Sequence, residues 1–333
     1  MLFSVIVPSY NTLPYLQIAI KSLLGQSFSD WECICVDDGS TDGTEAFLKE
    51  CSWIDKRIRF LKGTHGGVAK ARNMAINVAR GQYLMFLDSD DTYVSNALEY
   101  LSVALQRHAW PDVFSYRSVA VTSHQYNTLF DRANVTEKYF DLRTLEGLRG
   151  AFKARLGDLI AWNACWRRDS FDNPRFEIMP NGEDILWGMH RMMEAKTMVC
   201  SSACIYRYLH RQGSALQTIS YKHAVSAIFC FRRMAESAAR WDRRGEVSDV
   251  LFKRILCQAL GYVRDVLSRL PFSDRLKLRG EFLNALNFLC CKSGLLHGCQ
   301  RLYFGIAVSN LLTRLLMLYL PFDLYALRHR GRK

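Results

Sequence analysis

Over its first 107 residues the chain alternates short apolar runs with helix-period stretches, and that alternation limits the fold more than any other feature. Phe3–Pro8, Trp31–Val36, Arg57–Leu61 and Tyr83–Leu87 are short, apolar and rich in β-formers, so each reads as a strand. Leu13–Leu24, Thr41–Lys49, Val68–Ala79 and Asn96–Arg107 carry helical spacing between them, with Thr41 or Asp42 available to cap the second. The order β-α-β-α-β-α-β-α predicts a doubly wound, mainly parallel sheet of the α/β class. Such sheets bind ligands beyond the carboxyl ends of their strands. Three polar clusters fall at those ends: Ser9–Asn11, Asp37–Ser40 and Asp88–Asp91. They are expected to meet along one edge of the sheet.

The rest of the chain reads differently. From Val113 to Tyr208 strands and helices mix without a clear period, and from His223 onward the pattern is helical. Leu256, Leu260, Val263 and Leu267 mark one amphipathic face, and Ser273 is expected to cap a helix after Pro271. Charge divides the chain at the same place. Residues 1–220 hold 24 Lys and Arg against 24 Asp and Glu, whereas residues 221–333 hold 20 against 8. The net charge of +12 therefore lies in the last third, which implies an anionic surface there, nucleic acid or lipid headgroups. No nucleic-acid reader motif is present. Leu302–Leu320 is nearly continuous in apolar residues but contains Arg314, and it only approaches the roughly 20 residues a membrane-spanning helix needs. Helices lying on the inner leaflet, with Arg328, Arg330, Arg332 and Lys333 on anionic lipid, are the preferred reading. A soluble helical subdomain with solvated charge is the alternative.

The 11 cysteines form no C-x-x-C pair and no zinc spacing. Their odd number, and an N-terminus that reads as a strand rather than a signal peptide, point to a cytosolic protein. The chain lacks G-x-G-x-x-G after a strand, a Walker A sequence and a Gly-x-Ser-x-Gly elbow. Dinucleotide dehydrogenases, P-loop NTPases and α/β-hydrolases are therefore poor readings.

The acidic cluster carries the most chemistry. Three carboxylates within Asp88-Ser89-Asp90-Asp91 repel one another unless a cation or hydrogen-bond donors neutralise them. Clustered oxygens suit a hard divalent ion that can grip a diphosphate. The alternative is a solvated turn with Asp90 or Asp91 capping a helix. Asp38 can accept from a base or ribose, or cap a type I turn; Tyr10 offers a stacking plate or sits in an ordinary turn; and Asp184 opens a helical run as a candidate base or a plain helix cap. His210–Ser214 is a cationic loop able to clamp a departing diphosphate.

The ordered set Ser4–Asn11, Gln26-Ser27-Phe28, Trp31-Glu32, Val36–Thr44, Gly67–Asn73 and Phe86–Asp91, followed by Trp162-Asn163 and Gly182-Glu183-Asp184, resembles the family 2 glycosyltransferases of the GT-A fold. The resemblance is close over residues 3–100 and looser to about 215. It implies a catalytic domain over 1–220, with nucleotide-sugar binding in 1–110 and the acceptor side in 111–220, and a helical basic extension over 221–333. It implies that Pro8, Tyr10, Asp38, Arg72, Asn73 and Asp88 bind the nucleotide-sugar, with UDP as the nucleotide. Asp88 and Asp90 become the ligands of Mg²⁺ or Mn²⁺, and Asp184 the general base. Trp162, Asn163, Glu183 and His210 fall on the acceptor side, where Ala164 replaces the family's usual basic residue. The implied reaction moves a sugar with inversion to a saccharide or glycolipid acceptor, in lipopolysaccharide, O-antigen or capsule synthesis at the cytoplasmic face of the inner membrane.

Two other readings compete. Leu84–Thr92 also fits the haloacid dehalogenase-like phosphatase pattern with Asp88 as nucleophile, although Gly182-Glu183-Asp184 does not supply that family's later acidic pair. A non-catalytic transferase-like scaffold is the second, and the retention of every acidic residue argues against it.

Overall fold

The computed structural model describes residues 1–122, 133–154, 160–211, 220–241 and 266–278. Its first half alternates as the sequence predicts: β1 (Phe3–Ser9), α1 (Leu13–Leu24), β2 (Trp31–Asp37), α2 (Thr44–Ile54), β3 (Ile58–Lys62), α3 (Val68–Val78) and β4 (Tyr83–Phe86). There follow β5 (Thr92–Tyr93), α4 (Ala97–Arg107), β6 (Val113–Val121), β7 (Glu137–Asp141), α5 (Leu145–Lys153), β8 (Ala164–Arg167), α6 (Glu183–Glu194), β9 (Thr197–Leu209) and α7 (Tyr221–Trp241).

Among the described residues these strands form one nine-stranded sheet, ordered β3-β2-β1-β4-β8-β6-β9-β5, with β7 added on β9. The first four strands pair in parallel. Beyond β4 the sheet is mixed: β8 is antiparallel to β4 and β6, while β6 and β9 run parallel through a register irregularity near Arg117. The parallel pairing expected of the sheet is unbroken over β1–β4 and recurs only between β6 and β9 among the described strands.

Both faces of the parallel half are covered. Phe3, Val5, Val7, Cys33, Cys35, Met85 and Leu87 share one core with Leu16 and Ile20 of α1, Leu48 of α2 and Leu98 and Leu101 of α4. The alternate residues Ile6, Ile34, Leu84 and Phe86 are buried on the other face, where α3 packs on β1 and β2. Burial on both sides explains why these strands read as unbroken apolar runs.

The starts of the strands are pinned by one acid. Glu32 accepts from Ser4 Oγ (2.7 Å), the Arg59 guanidinium (2.8 Å) and the Arg80 amide (2.7 Å). The Gly81 amide donates to Ser4 Oγ at 2.8 Å, and a Cβ at Gly81 would stand 2.5 Å from the Ser4 nitrogen, so only glycine fits there.

One expected cap moves. α2 starts at Thr44 behind Gly43, whose φ of 93° only glycine adopts freely. Asp42 instead accepts from the amides of Leu13 (2.9 Å) and Thr44 (3.1 Å), tying two helix starts together. Ser273 is also not a cap. The first bonds of the helix over 272–278 run from Asp274 and Arg275 to the Pro271 carbonyl, which leaves Ser273 inside it.

The chain divides into two compact units, with Pro180–Gly182 and the segment from Gly213 onward in the second. Within that second unit, Ser226 Oγ of α7 donates to the Asn181 carbonyl (2.7 Å) and Cys230 Sγ donates to the Gly182 carbonyl (3.4 Å). Among the described residues no helix is long and apolar enough to cross a membrane. Leu256, Leu260, Val263, Leu302–Leu320 and the terminal basic residues lie outside the described residues.

Burial works to raise the pKa of Glu32, but the donors from Arg59, Ser4 and Arg80 outweigh it and hold the pKa below its ordinary 4.5. Its stabilising contribution is therefore full above that value and is lost as pH falls through the lowered folded value. Glu32→Ala is expected to cost about 2–3 kcal/mol at neutral pH. The check is a shift of the urea midpoint at unchanged m-value, shrinking toward acid pH.

Candidate active site

The three polar strand ends do converge. After β1, the Asn11 amide donates to Ser40 Oγ (2.8 Å), and Asn11 Oδ1 accepts from the Thr41 amide (2.8 Å). The Asp38 amide donates to the Ser9 carbonyl (2.8 Å), and Thr12 Oγ1 donates to Ser89 Oγ (2.9 Å). Loops from β1, β2 and β4 are thereby stitched into one rim.

On that rim Pro8 is buried within β1, while Tyr10 stays half exposed with its ring 4.5 Å from His65. Asp38 accepts from the amides of Gly66 (2.8 Å) and Gly67 (2.6 Å) at the start of α3, so its first task is to shape that loop. Asn73 has a structural task as well. Its side-chain amide donates to the Phe176 carbonyl (2.9 Å) and its oxygen accepts from the Phe176 amide (2.8 Å). Each bond uses one N–H or one lone pair of the side chain to fix the segment before α6.

Arg72 sits at the centre. Only 3% of its side chain is exposed, and it donates to Asp88 (2.8 Å) and to Glu183 (2.7 Å), while its guanidinium lies 5.2 Å from the Phe176 ring. Burial opposes its charge, but the carboxylates of Asp88, Glu183 and Asp184 raise its pKa further. Glu183, expected toward the acceptor, is therefore a buried partner of Arg72. Beside it Asp184 accepts from the Ile185 amide (2.8 Å). Burial first, and then the charge of Glu183, push the Asp184 carboxyl up to about 7, against the pull of Arg72.

The acidic cluster divides its labour. Asp91 is fully buried and accepts from the Tyr206 hydroxyl (2.6 Å) and the Leu209 amide (2.8 Å), which ties β9 to the end of β4. Burial and the charges of Asp88 and Asp90 raise its pKa to about 8. Asp90 accepts from Arg211 Nε (2.7 Å), whose guanidinium lies 4.7 Å from the Tyr15 ring. Burial and the charge of Asp88 raise the Asp90 pKa despite Arg211. Helix α4 starts at Ala97, so neither Asp90 nor Asp91 caps it.

Asp88 and Asp90 are hard oxygen donors whose negative charge is only locally balanced, which suits Mg²⁺ or Mn²⁺. Among the described residues no group of three or more His, Cys, Asp or Glu forms a complete cage.

Beyond the acids, Trp162 stacks on Tyr206 (4.7 Å) and Tyr208 (6.1 Å). Those tyrosines are one strand period apart in β9, a signal the sequence carried but its reading passed over. Asn163 is buried and accepts from the Ile160 amide (3.1 Å), which shapes its own turn beside Trp162. His210 is exposed, with its ring edge-on to Tyr208 at 5.2 Å. Gln212–Ser214 lie outside the described residues.

A family model for glycosyl transferase family 2 matches residues 4–158. A relative in Haemophilus influenzae, an uncharacterized glycosyltransferase, is 42% identical over 267 residues, covering 80% of this chain and 92% of that protein. The chain belongs to glycosyl transferase family 2. Another relative is WfgD of Escherichia coli, described as a UDP-Glc:alpha-D-GlcNAc-diphosphoundecaprenol beta-1,3-glucosyltransferase. It is 41% identical over 99 residues, covering 29% of this chain and 38% of WfgD. The family 2 chain spans between 33% and 65% of the length of four other curated relatives. In fold it is similar to residues 1–349 of Staphylococcus aureus TarS, solved with UDP-GlcNAc. The TM-score is 0.62 at 20% identity, over 86% of this chain and 89% of that one. Membership of this family leaves the phosphatase reading of Asp88 and the non-catalytic scaffold without support.

Arg72→Ala leaves Glu183 buried without its cation. The variant is expected to lose about 3–5 kcal/mol of stability, read from chemical denaturation. Arg72→Lys should recover only part of it, because an ammonium cannot reproduce two directed guanidinium bonds.

Proposed function

We propose that this family 2 chain transfers a sugar from a nucleotide-diphosphate sugar, with UDP as the nucleotide, to a hydroxyl of a saccharide acceptor, inverting the anomeric centre. The observation that carries the reading is the Arg72 bridge. One buried guanidinium holds Asp88 of the donor rim and Glu183, the neighbour of Asp184, at 2.8 and 2.7 Å. Donor acid and candidate base are therefore fixed with respect to each other.

In this mechanism Tyr10 and Asp38 hold the nucleoside on the strand-end rim. Asp184 takes the proton of the acceptor hydroxyl as that oxygen attacks the anomeric carbon. The bond from that carbon to the diphosphate breaks on the opposite side. A pKa of about 7 suits the task, since a base near the working pH combines availability with proton affinity. Asp88 and Asp90 are the residues that would hold Mg²⁺ or Mn²⁺. When bound, such an ion neutralises charge on the leaving diphosphate. Arg72 and Arg211 keep those two carboxylates oriented.

We assign donor binding to residues 1–110, the acceptor side to 111–220, and association with anionic membrane to 221–333, where 20 basic residues face 8 acidic ones. Sugar transfer at the cytoplasmic face of the inner membrane, onto surface-polysaccharide precursors, is the role that fits. Recovery of the protein only in the soluble fraction at low salt would sink the membrane part.

The test is binding and turnover with a panel of UDP-, GDP- and dTDP-sugars, with and without Mn²⁺ or Mg²⁺. Metal-dependent binding of a UDP-sugar, lost in Asp90→Ala, is expected. Asp184→Asn should keep donor binding and lower turnover by about 10²–10⁴-fold. The base must be ionised to work, so wild-type kcat/KM should rise with pH through a limb near 7. That limb should vanish in Asp184→Asn. Failure to bind any nucleotide-sugar would overturn the reading.

A further inference from the structure

Beside the Trp162 ring, within the first unit, lies a cavity of about 520 Å³ bounded by β6, β7, α5, β9 and the turn before β8. It is separate from the strand-end rim, since no residue of β1, β2 or β4 lines it. Its charge is one-sided. Arg117 comes from β6, Lys138 from β7 and Lys153 from the end of α5, and among the described residues no Asp or Glu lines the cavity.

The nearby acids are engaged elsewhere. Glu137 accepts from the Tyr100 hydroxyl (2.7 Å), Arg107 (2.9 Å) and His108 (2.7 Å), and strand alternation sends it to the face opposite Lys138. Asp141 is held by Arg143 at 2.8 Å. Among the described residues Arg117, Lys138 and Lys153 make no ion pair. Three exposed cations from three separate elements give the concavity a positive potential, which attracts an anion. The remaining lining suits a hydroxylated ligand: Thr136, Ser118 and Ser202 offer hydroxyls, and Trp162 offers an aromatic plane. Trp162 also links the cavity to the chemistry. It stacks at 4.7 Å on Tyr206, whose hydroxyl donates to Asp91 of the acidic cluster.

We propose that the acceptor is an acidic saccharide, one bearing phosphate or carboxylate groups, and that Arg117, Lys138 and Lys153 hold its acid group in this cavity. The inference rests on the glycosyltransferase reading and adds the substrate class to it. A neutral acceptor would leave the three cations without a counter-charge. The donor does not need them, because its rim lies on other strands.

The experiment is calorimetric titration of the full chain with maltotriose, maltotriose 1-phosphate, trigalacturonate and inorganic phosphate, with UDP titrated into the same samples. The acidic saccharides should bind at least about tenfold more tightly than maltotriose, since each 1.4 kcal/mol gained from charge pairing is a factor of ten. Lys138→Ala/Lys153→Ala should abolish that preference and leave UDP binding unchanged. Lys56→Ala/Lys222→Ala, two exposed lysines outside the cavity, should keep it. Equal binding of neutral and acidic probes would overturn the proposal, as would a preference that survives in the cavity variant. Inorganic phosphate binding as tightly as the saccharide phosphate would overturn recognition of a saccharide. Loss of UDP binding alone would count against the donor reading instead.

Discussion

A single buried guanidinium sets the geometry on which the rest of the site depends. Arg72 lies on α3, yet its two partners come from the end of β4 and the start of α6, the latter 111 residues away in sequence. A buried charge of this kind is tolerated only when its partners are close and well directed. Two hydrogen bonds of 2.7 and 2.8 Å meet that condition. The same bonds have an electrostatic consequence. Asp88, Glu183 and Asp184 bring three carboxyls to one cation, so a single guanidinium cannot balance them all. Burial and the charge of Glu183 then raise the proton affinity of Asp184, the carboxyl that is not hydrogen-bonded to the guanidinium. A structural pairing thus tunes the candidate base.

The Asp88–Asp91 turn solves a related problem three times. Like charges this close must each find a separate neutraliser. Asp88 takes Arg72, Asp90 takes Arg211, and Asp91 takes a hydroxyl and a backbone amide. The last arrangement is the most buried and serves as a strap, drawing β9 against the end of β4. It also places Tyr206 under Trp162. The strap therefore positions an aromatic platform as well as two metal-capable acids, and loosening it would disturb both.

Which parts were legible in the sequence follows from the range of the interactions that form them. The strands and helices from β1 to α4 were readable because amphipathic period and strand-ending polar clusters are local signals. α2 began late only because Gly43, rather than Asp42 or Thr41, takes the capping position. The convergence of Ser9–Asn11, Asp37–Ser40 and Asp88–Asp91 followed from parallel topology alone. Beyond β4 the pattern failed, since β6 pairs with β9 across more than 80 residues and no local period announces it. Roles were harder than places. Glu183, Asn73 and Asn163 carry family-like motifs, but their partners are a distant Arg, the Phe176 backbone and their own turn. A motif supplies the residue type, and only the packed neighbours decide whether its polar atoms remain free for a ligand.

Net charge shows the same limit. Residues 1–220 sum to zero, which by itself predicts no field at all. The structure instead segregates the charges. Acids gather at the ends of β4 and the start of α6, each with a partner, while Arg117, Lys138 and Lys153 line a cavity on β6, β7 and α5 without an ion pair among the described residues. A field that cancels over the whole region can still be one-signed across a few side chains. The stacked pair Trp162 and Tyr206 joins the cationic cavity to the acidic cluster. In the proposed acceptor mode, a substrate with its acid group drawn to the cations is oriented before it reaches the carboxylates. The proposed displacement needs that orientation, since attack from the side opposite a leaving diphosphate depends on alignment.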